Sequence, residues 1–261
     1  MDRKLKNLLR PYTPPVFFAA CKFLRWVYII FMYIFFEVYT DKESAVYNIL
    51  IEKWENYKTD LHPKDRRMRV LEEKNVEGMN TENIRLLINE LVRRFAKNGI
   101  YVEVGTLYGS SLLSAALFNP STYCVGIDNF SQFNTGNKNE YILKENLSKF
   151  GNPANIKFYN QDYEECLKHI FVKQPTCKIN IYYYDGAHTY KAQLKGLEAA
   201  LPYLSEKCII LVDDVNLYSV DKANKSFIKN NPNFKSIFKV KTKTDLTIDW
   251  WNGFEIITRG L

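Results

Sequence analysis

A chain of 261 residues with 46% hydrophobic and 15% aromatic side chains can bury a sizeable core, which excludes a disordered polymer. Its net charge of +7 is uneven, since residues 1–40 carry Arg3, Lys4, Lys6, Arg10, Lys22 and Arg25 against Asp2 and Glu37, leaving only +3 for the rest. A basic N-terminal segment on a nearly neutral body argues against nucleic acid as a partner, and five cysteines without a C-x-x-C pair argue against a disulfide framework or structural zinc.

Taken in order, the chain opens with Pro11, Pro14 and Pro15, after which residues 16–39 are strongly apolar and aromatic. Their uninterrupted stretch, Trp26 to Phe36, is 11 residues, short of the ~20 that a spanning helix needs. Three readings stay open for it: a helix packed on the body or on another subunit, an interfacial membrane helix with a basic flank, or a spanning anchor. The expected location is cytoplasmic, peripheral to the inner face of the membrane under the second reading, and a homo-oligomer is expected.

Residues 41–57 can form a helix with Ala45, Ile49, Leu50 and Trp54 on one side. Residues 58–78 are charged and lack a period, which suggests a loop near an active-site mouth. Residues 81–97 are a clear amphipathic helix, with Thr81 as candidate N-cap and Asn98-Gly99 as its end. The expected division is therefore an N-terminal helical extension and linker, 1–79, and a domain, 80–261.

Strand and helix then alternate. Strands are expected at 100–104, 123–127, 156–159, 179–184 and 208–212, with helices at 111–118, 140–150, 163–171 and 190–204 between them. Two further strands, 236–240 and 253–258, close the chain as a hairpin. This pattern predicts an α/β fold: a doubly wound, mostly parallel, seven-stranded Rossmann-like sheet with an antiparallel C-terminal hairpin. Ligands in such sheets bind at the carboxyl ends of the strands. Here Asp128, Asp185, Asp213 and Asp214 end strands, and Asp162 closely follows one.

The first strand runs into Gly105-Thr106-Leu107-Tyr108-Gly109, with Ser110 as candidate cap of the next helix. A dinucleotide site would want G-x-G-x-x-G, and a P-loop would end in G-K-[ST]; neither is present. Glu103, two residues before the first glycine, suits a cationic ligand better than a pyrophosphate.

Together, Glu103-Val104-Gly105-Thr106 with Gly109, Gly126-Ile127-Asp128, Gln161-Asp162, Asp185-Gly186-Ala187-His188 and Val212-Asp213-Asp214 resemble class I S-adenosylmethionine-dependent methyltransferases. The resemblance runs from about residue 81 to the C-terminus. It is to the branch with an Asp-Gly-x-His phrase after strand four, similar to metal-dependent small-molecule and sugar O-methyltransferases. It implies that Glu103, Gly105, Thr106, Gly109, Asp128, Gln161, Asp162 and Asp185 bind S-adenosylmethionine. It also implies that Asp185, Asp213 and Asp214 hold Mg²⁺, and that His188, with Asp185, serves catalysis as general base. Three converging carboxylates repel one another unless a cation or protons are present, and oxygen ligands suit Mg²⁺. The acceptor is expected to be a small hydroxylated molecule of sugar or natural-product type. Two alternatives remain: a nucleotide-binding reductase, and a catalytically inactive partner protein that kept the fold.

Overall fold

The computed structural model describes residues 37–132, 138–173 and 176–261. They form the compact unit Glu37–Leu261, so residues 37–79, expected to go with the extension, lie in the same unit as the sheet. The apolar segment 16–39 falls outside the described residues except for its end. That end is not helical: Glu37–Thr40 is a strand, β1.

The remaining elements are α1 (Ala45–Lys53), α2 (Val70–Glu73), α3 (Glu82–Phe95), β2 (Ile100–Val104), α4 (Ser110–Ala116), β3 (Tyr123–Asp128), α5 (Lys138–Ser148) and β4 (Ile156–Asn160). They continue as α6 (Tyr163–Lys173), β5 (Ile179–Tyr184), α7 (Tyr190–Ala200), β6 (Leu204–Asp213), α8 (Tyr218–Asn230), β7 (Phe234–Lys241) and β8 (Phe254–Arg259). The sheet has eight strands in the order β1-β7-β8-β6-β5-β2-β3-β4. The seven-strand expectation fails because β1 adds to the far edge, antiparallel to β7. The five central strands are parallel, and β8 and β7 are antiparallel as expected.

Helix α8 has no counterpart in the sequence-based expectation. Its buried Val220, Ala223 and Phe227 recur at helical spacing, but Lys222, Lys225 and Lys229 between them dilute the signal. Successive strand residues point to opposite faces. Val102, Val104, Ile127, Tyr182, Tyr184 and Val212 join a core with residues of α6, α7 and α8. On the other side α3 packs against α4 and β5.

The segment 58–78 packs onto α3. Met68 and Leu71 are fully buried, and its cations grip α3: Arg66 pairs with Glu82, and Arg67 with the buried Glu90. Lys53 and Arg94 also approach Glu90, at 3.8 and 3.4 Å. A buried carboxylate so surrounded ties the segment down, since removing cations from a buried partner leaves an uncompensated charge. Thr81 does cap α3, its hydroxyl accepting from the Ile84 N–H. Ser110 does not cap α4: Gly109, at φ +79°, takes the cap position, and Ser110 Oγ turns to Asn80.

The order of strands reverses between β2 and β5. Strands β3 and β4 build outward on one side and β6 on the other. Val104 lies in register with Tyr184. The loops after β2 and β5 therefore part at this point and leave a crevice, the place where open α/β sheets bind ligands.

Candidate functional site

The crevice is a cleft of about 590 Å³. One wall is the glycine turn. The Gly105 N–H donates to the Ile127 carbonyl at 2.9 Å, and the Leu107 N–H donates to Asp128 Oδ2 at 2.8 Å. Gly105 has φ +91°, and a Cβ there would lie 1.9 Å from the Asp185 carbonyl oxygen. Only glycine combines that dihedral with so close an approach. The turn thus leaves a backbone-lined cradle facing Asp128.

Of the residues expected to bind cofactor, Gly105, Asp128, Gln161, Asp162 and Asp185 line the cleft. Asp128 also accepts from the Phe130 N–H at 2.7 Å. Burial and the Asp185 charge push its carboxyl up, against the pull of these backbone donors. Asp162 Oδ1 accepts from the Glu164 N–H at 2.9 Å, so this acid caps α6 as well as facing the cleft. Glu103, Thr106 and Gly109 do not line it. Thr106 is buried behind the turn, and Gly109 serves as the helix cap.

Glu103 lies beneath the turn rather than in the cleft. Its carboxyl accepts from Tyr101 Oη at 2.7 Å and Ser111 Oγ at 3.2 Å. Burial raises it to about 8, despite those hydroxyl donors. A folded-state value above that of the unfolded chain means the native state holds the proton more tightly. The resulting stability is complete below about 4.5 and is lost as pH rises through about 8. Glu103→Gln removes this loss. Urea unfolding at pH 5 and pH 8 is expected to show the native chain losing roughly 3 kcal/mol more than the variant. Equal losses would show that Glu103 is ionised throughout.

The opposite wall gathers the acids that follow β5 and β6. Asp185 Oδ1 and Asp214 Oδ2 stand 3.5 and 3.1 Å from His188 Nε2. No hydrogen bond aligns with that buried nitrogen. Ligand atoms of Asp185, His188 and Asp214 all lie within 4.8 Å of one another, close enough to share one metal ion. Asp213, expected as the third ligand, behaves differently. Its Oδ2 accepts from Tyr183 Oη at 2.9 Å and its Oδ1 from the Asp214 N–H at 3.0 Å. Burial and the Asp185 and Asp214 charges hold it well above the usual carboxylate range. Both oxygens thus have donors already, and His188 rather than Asp213 stands beside the other two acids.

Burial lowers the affinity of His188 for its proton, but the Asp185 and Asp214 carboxylates outweigh this and raise it overall. Asp214 has φ +57°, a costly conformation for a residue with a side chain. Asn252 Nδ2 donates to its Oδ1 at 2.7 Å, a contact across 38 residues that no local pattern announces. Asn216, which closely follows the acid pair, binds Thr242 and Asp245. Trp251 and Asn252 line the cleft, whereas Trp250 packs against Trp54 and Phe238 in the core. Met79, Leu217 and the Lys195–Glu164 ion pair also line it, without any motif to mark them.

Residues 102–215 match the family model described as a methyltransferase domain. The fold is similar to a solved structure assigned as an O-methyltransferase from Klebsiella pneumoniae (17% identity, TM-score 0.55, 84% of this chain and 97% of that one). It is also similar to the O-methyltransferase from Bacillus cereus solved with SAH (14% identity, TM-score 0.54, 85% of this chain and 98% of that one). No curated protein matches. The match to the methyltransferase-domain model lies in residues 102–215, and the likeness to the solved structures is one of fold, a Rossmann-like sheet.

Proposed function

We propose that this methyltransferase domain transfers the methyl group of S-adenosylmethionine to a hydroxyl of a small acceptor, with a divalent cation, Mg²⁺, assisting. The observation that carries the reading is the joining of two half-sites in one cleft. Gly105 and Asp128 form one, and Asp185, His188 and Asp214 the other.

Residues of the first half fit a nucleoside cofactor. The turn at Gly105 passes so close to the Asp185 carbonyl that only glycine holds it in the shape that borders the cleft. Asp128 keeps lone pairs for ribose hydroxyls beyond the two N–H groups it already accepts. S-adenosylmethionine supplies an activated methyl group on a sulfonium, so the protein's work is alignment and exclusion of water. Residues of the second half fit a cation: the carboxylates of Asp185 and Asp214 converge with His188 Nε2 within 4.8 Å. Asp185 and Asp214 would hold Mg²⁺, which would lower the pKa of a bound hydroxyl. His188 Nε2, beside both acids, is placed to take the hydroxyl proton as general base. Asn252 orients Asp214, and Ser219 Oγ, donating to the His188 carbonyl at 2.6 Å, anchors the histidine loop to α8.

Calorimetry tests the cofactor. The full chain is expected to bind S-adenosylhomocysteine and not NADH; the reverse result, or no binding of either, would remove this reading. Asp128→Ala is expected to weaken S-adenosylhomocysteine binding about 10- to 100-fold, the loss of a charged acceptor. Affinity equal to that of the native chain would take Asp128 out of the cofactor site. EDTA is expected to abolish turnover and Mg²⁺ to restore it, and turnover indifferent to EDTA would remove the metal.

A further inference from the structure

The antiparallel edge of the sheet brings together features that the transfer chemistry does not use. Asp213 ends β6 at the cleft, Phe254 begins β8 opposite it, and Val240 and Lys241 end β7 at the same end of the sheet. Strand β1 enters there too, since Glu37 lies in register with Lys241. Strands stand ~4.8 Å apart, so the chain enters the domain three strands, roughly 14 Å, from Asp213. The residues that precede Glu37 are apolar and aromatic over 16–36 and carry Arg3, Lys4, Lys6, Arg10, Lys22 and Arg25 against Asp2 alone.

Between that entry and the cleft runs the loop from β7 to β8, residues 242–253. It presents Leu246 and Ile248 to solvent, 60% and 69% exposed. Leu246 also sits at φ +58°, so the position costs backbone energy while leaving the side chain in water. The loop is held in this shape. The Leu246 N–H donates to Asn252 Oδ1 at 2.6 Å, and Thr247 and Trp251 exchange backbone hydrogen bonds at 3.0 and 3.2 Å. It also joins the cleft wall. Asn252 lines the cleft and binds Asp214. The Asp249 carbonyl, next to Ile248, accepts from Thr81 Oγ1 at 2.6 Å, two residues from Met79. The Leu217 N–H donates to the Asp214 carbonyl at 3.0 Å. Met79 and Leu217 are themselves exposed and line the cleft. With Leu246 and Ile248 they make an apolar rim on this side of the mouth.

We propose that this rim docks on a lipid surface bearing anionic headgroups, with Leu246 and Ile248 entering the interface. Apolar side chains gain by leaving water there, and the six cations that precede Glu37 in the chain are attracted by the headgroups. An apolar insertion and a basic segment are the two signals that stable peripheral binding takes. A second copy of this chain is the poorer occupant, because six cations to one acid would bring like charge against like. The docking does not depend on the methyl-transfer reading.

The test mixes the full chain with vesicles of phosphatidylcholine and phosphatidylglycerol and reads the bound fraction by sedimentation and the deuterium uptake of residues 243–250. The native chain is expected to bind, and uptake in 243–250 to fall on binding. Leu246→Asn combined with Ile248→Gln is expected to lower partitioning about tenfold or more. Asparagine tolerates the left-handed conformation, so the melting temperature should not fall. Val172→Gln, as exposed but at the end of α6 away from the cleft, is expected to partition like the native chain. The proposal is overturned by absence of binding, by unchanged uptake in 243–250, by native partitioning of the double variant, or by an equal loss in Val172→Gln. Protection of 243–250 that appears without vesicles and grows with protein concentration, with a doubled mass in light scattering, would also overturn it and make the rim a contact between copies.

Discussion

Gly105→Ala is expected to destabilise the domain by about 4 kcal/mol or more, at the extreme of single substitutions. Two costs combine. The residue sits at φ +91°, where a Cβ is strained, and that Cβ would meet the Asp185 carbonyl oxygen at 1.9 Å and its carbon at 2.6 Å. Those are backbone atoms and cannot swing aside. The backbone is pinned on both sides, by the Gly105 N–H to Ile127 and the Asp185 N–H to Val104, each at 2.9 Å. Relief therefore requires separating β2 from β5, the centre of the sheet. Thermal unfolding is expected to shift down by about 10 °C or more, with loss of S-adenosylhomocysteine binding. A variant that melts with the native chain would mean that the turn has another conformation in solution.

His188→Gln is expected to lower kcat about 10²- to 10⁴-fold, the usual worth of a positioned general base. The side chain lies between Asp185 and Asp214, whose carboxylates, 3.5 and 3.1 Å from Nε2, raise its affinity for a proton. Glutamine keeps a polar side chain but cannot take the proton. With catechol as probe acceptor, the loss should fall on kcat while S-adenosylhomocysteine affinity stays near that of the native chain. Should kcat hold, the base lies elsewhere. A loss that excess Mg²⁺ reverses would make His188 a metal ligand instead.

Much of this was readable from residue order because it is local. The strand-helix alternation from residue 100 to 213, the glycine turn and the acids at strand ends depend on neighbours a few positions apart. Apolar period and turn chemistry report such neighbours directly. The same locality explains why α8 escaped notice: its buried positions are spaced correctly, but three lysines lie among them.

What residue order could not settle was which way each acid faces and what it meets. Asp213 and Asp214 are adjacent and chemically alike. Only the fold turns Asp213 to the Tyr183 hydroxyl and leaves Asp214 beside His188. Glu103 looks like a ligand-facing acid from its place before the glycine, yet strand alternation directs it beneath the turn, against Tyr101 and Ser111. β1 joins β7 across about 200 residues, which no local pattern can encode. The sequence by itself determined the strands from residue 100 onward, the turn and the set of acids. The tertiary structure decided their partners, because burial and hydrogen bonding depend on contacts between residues far apart in the chain.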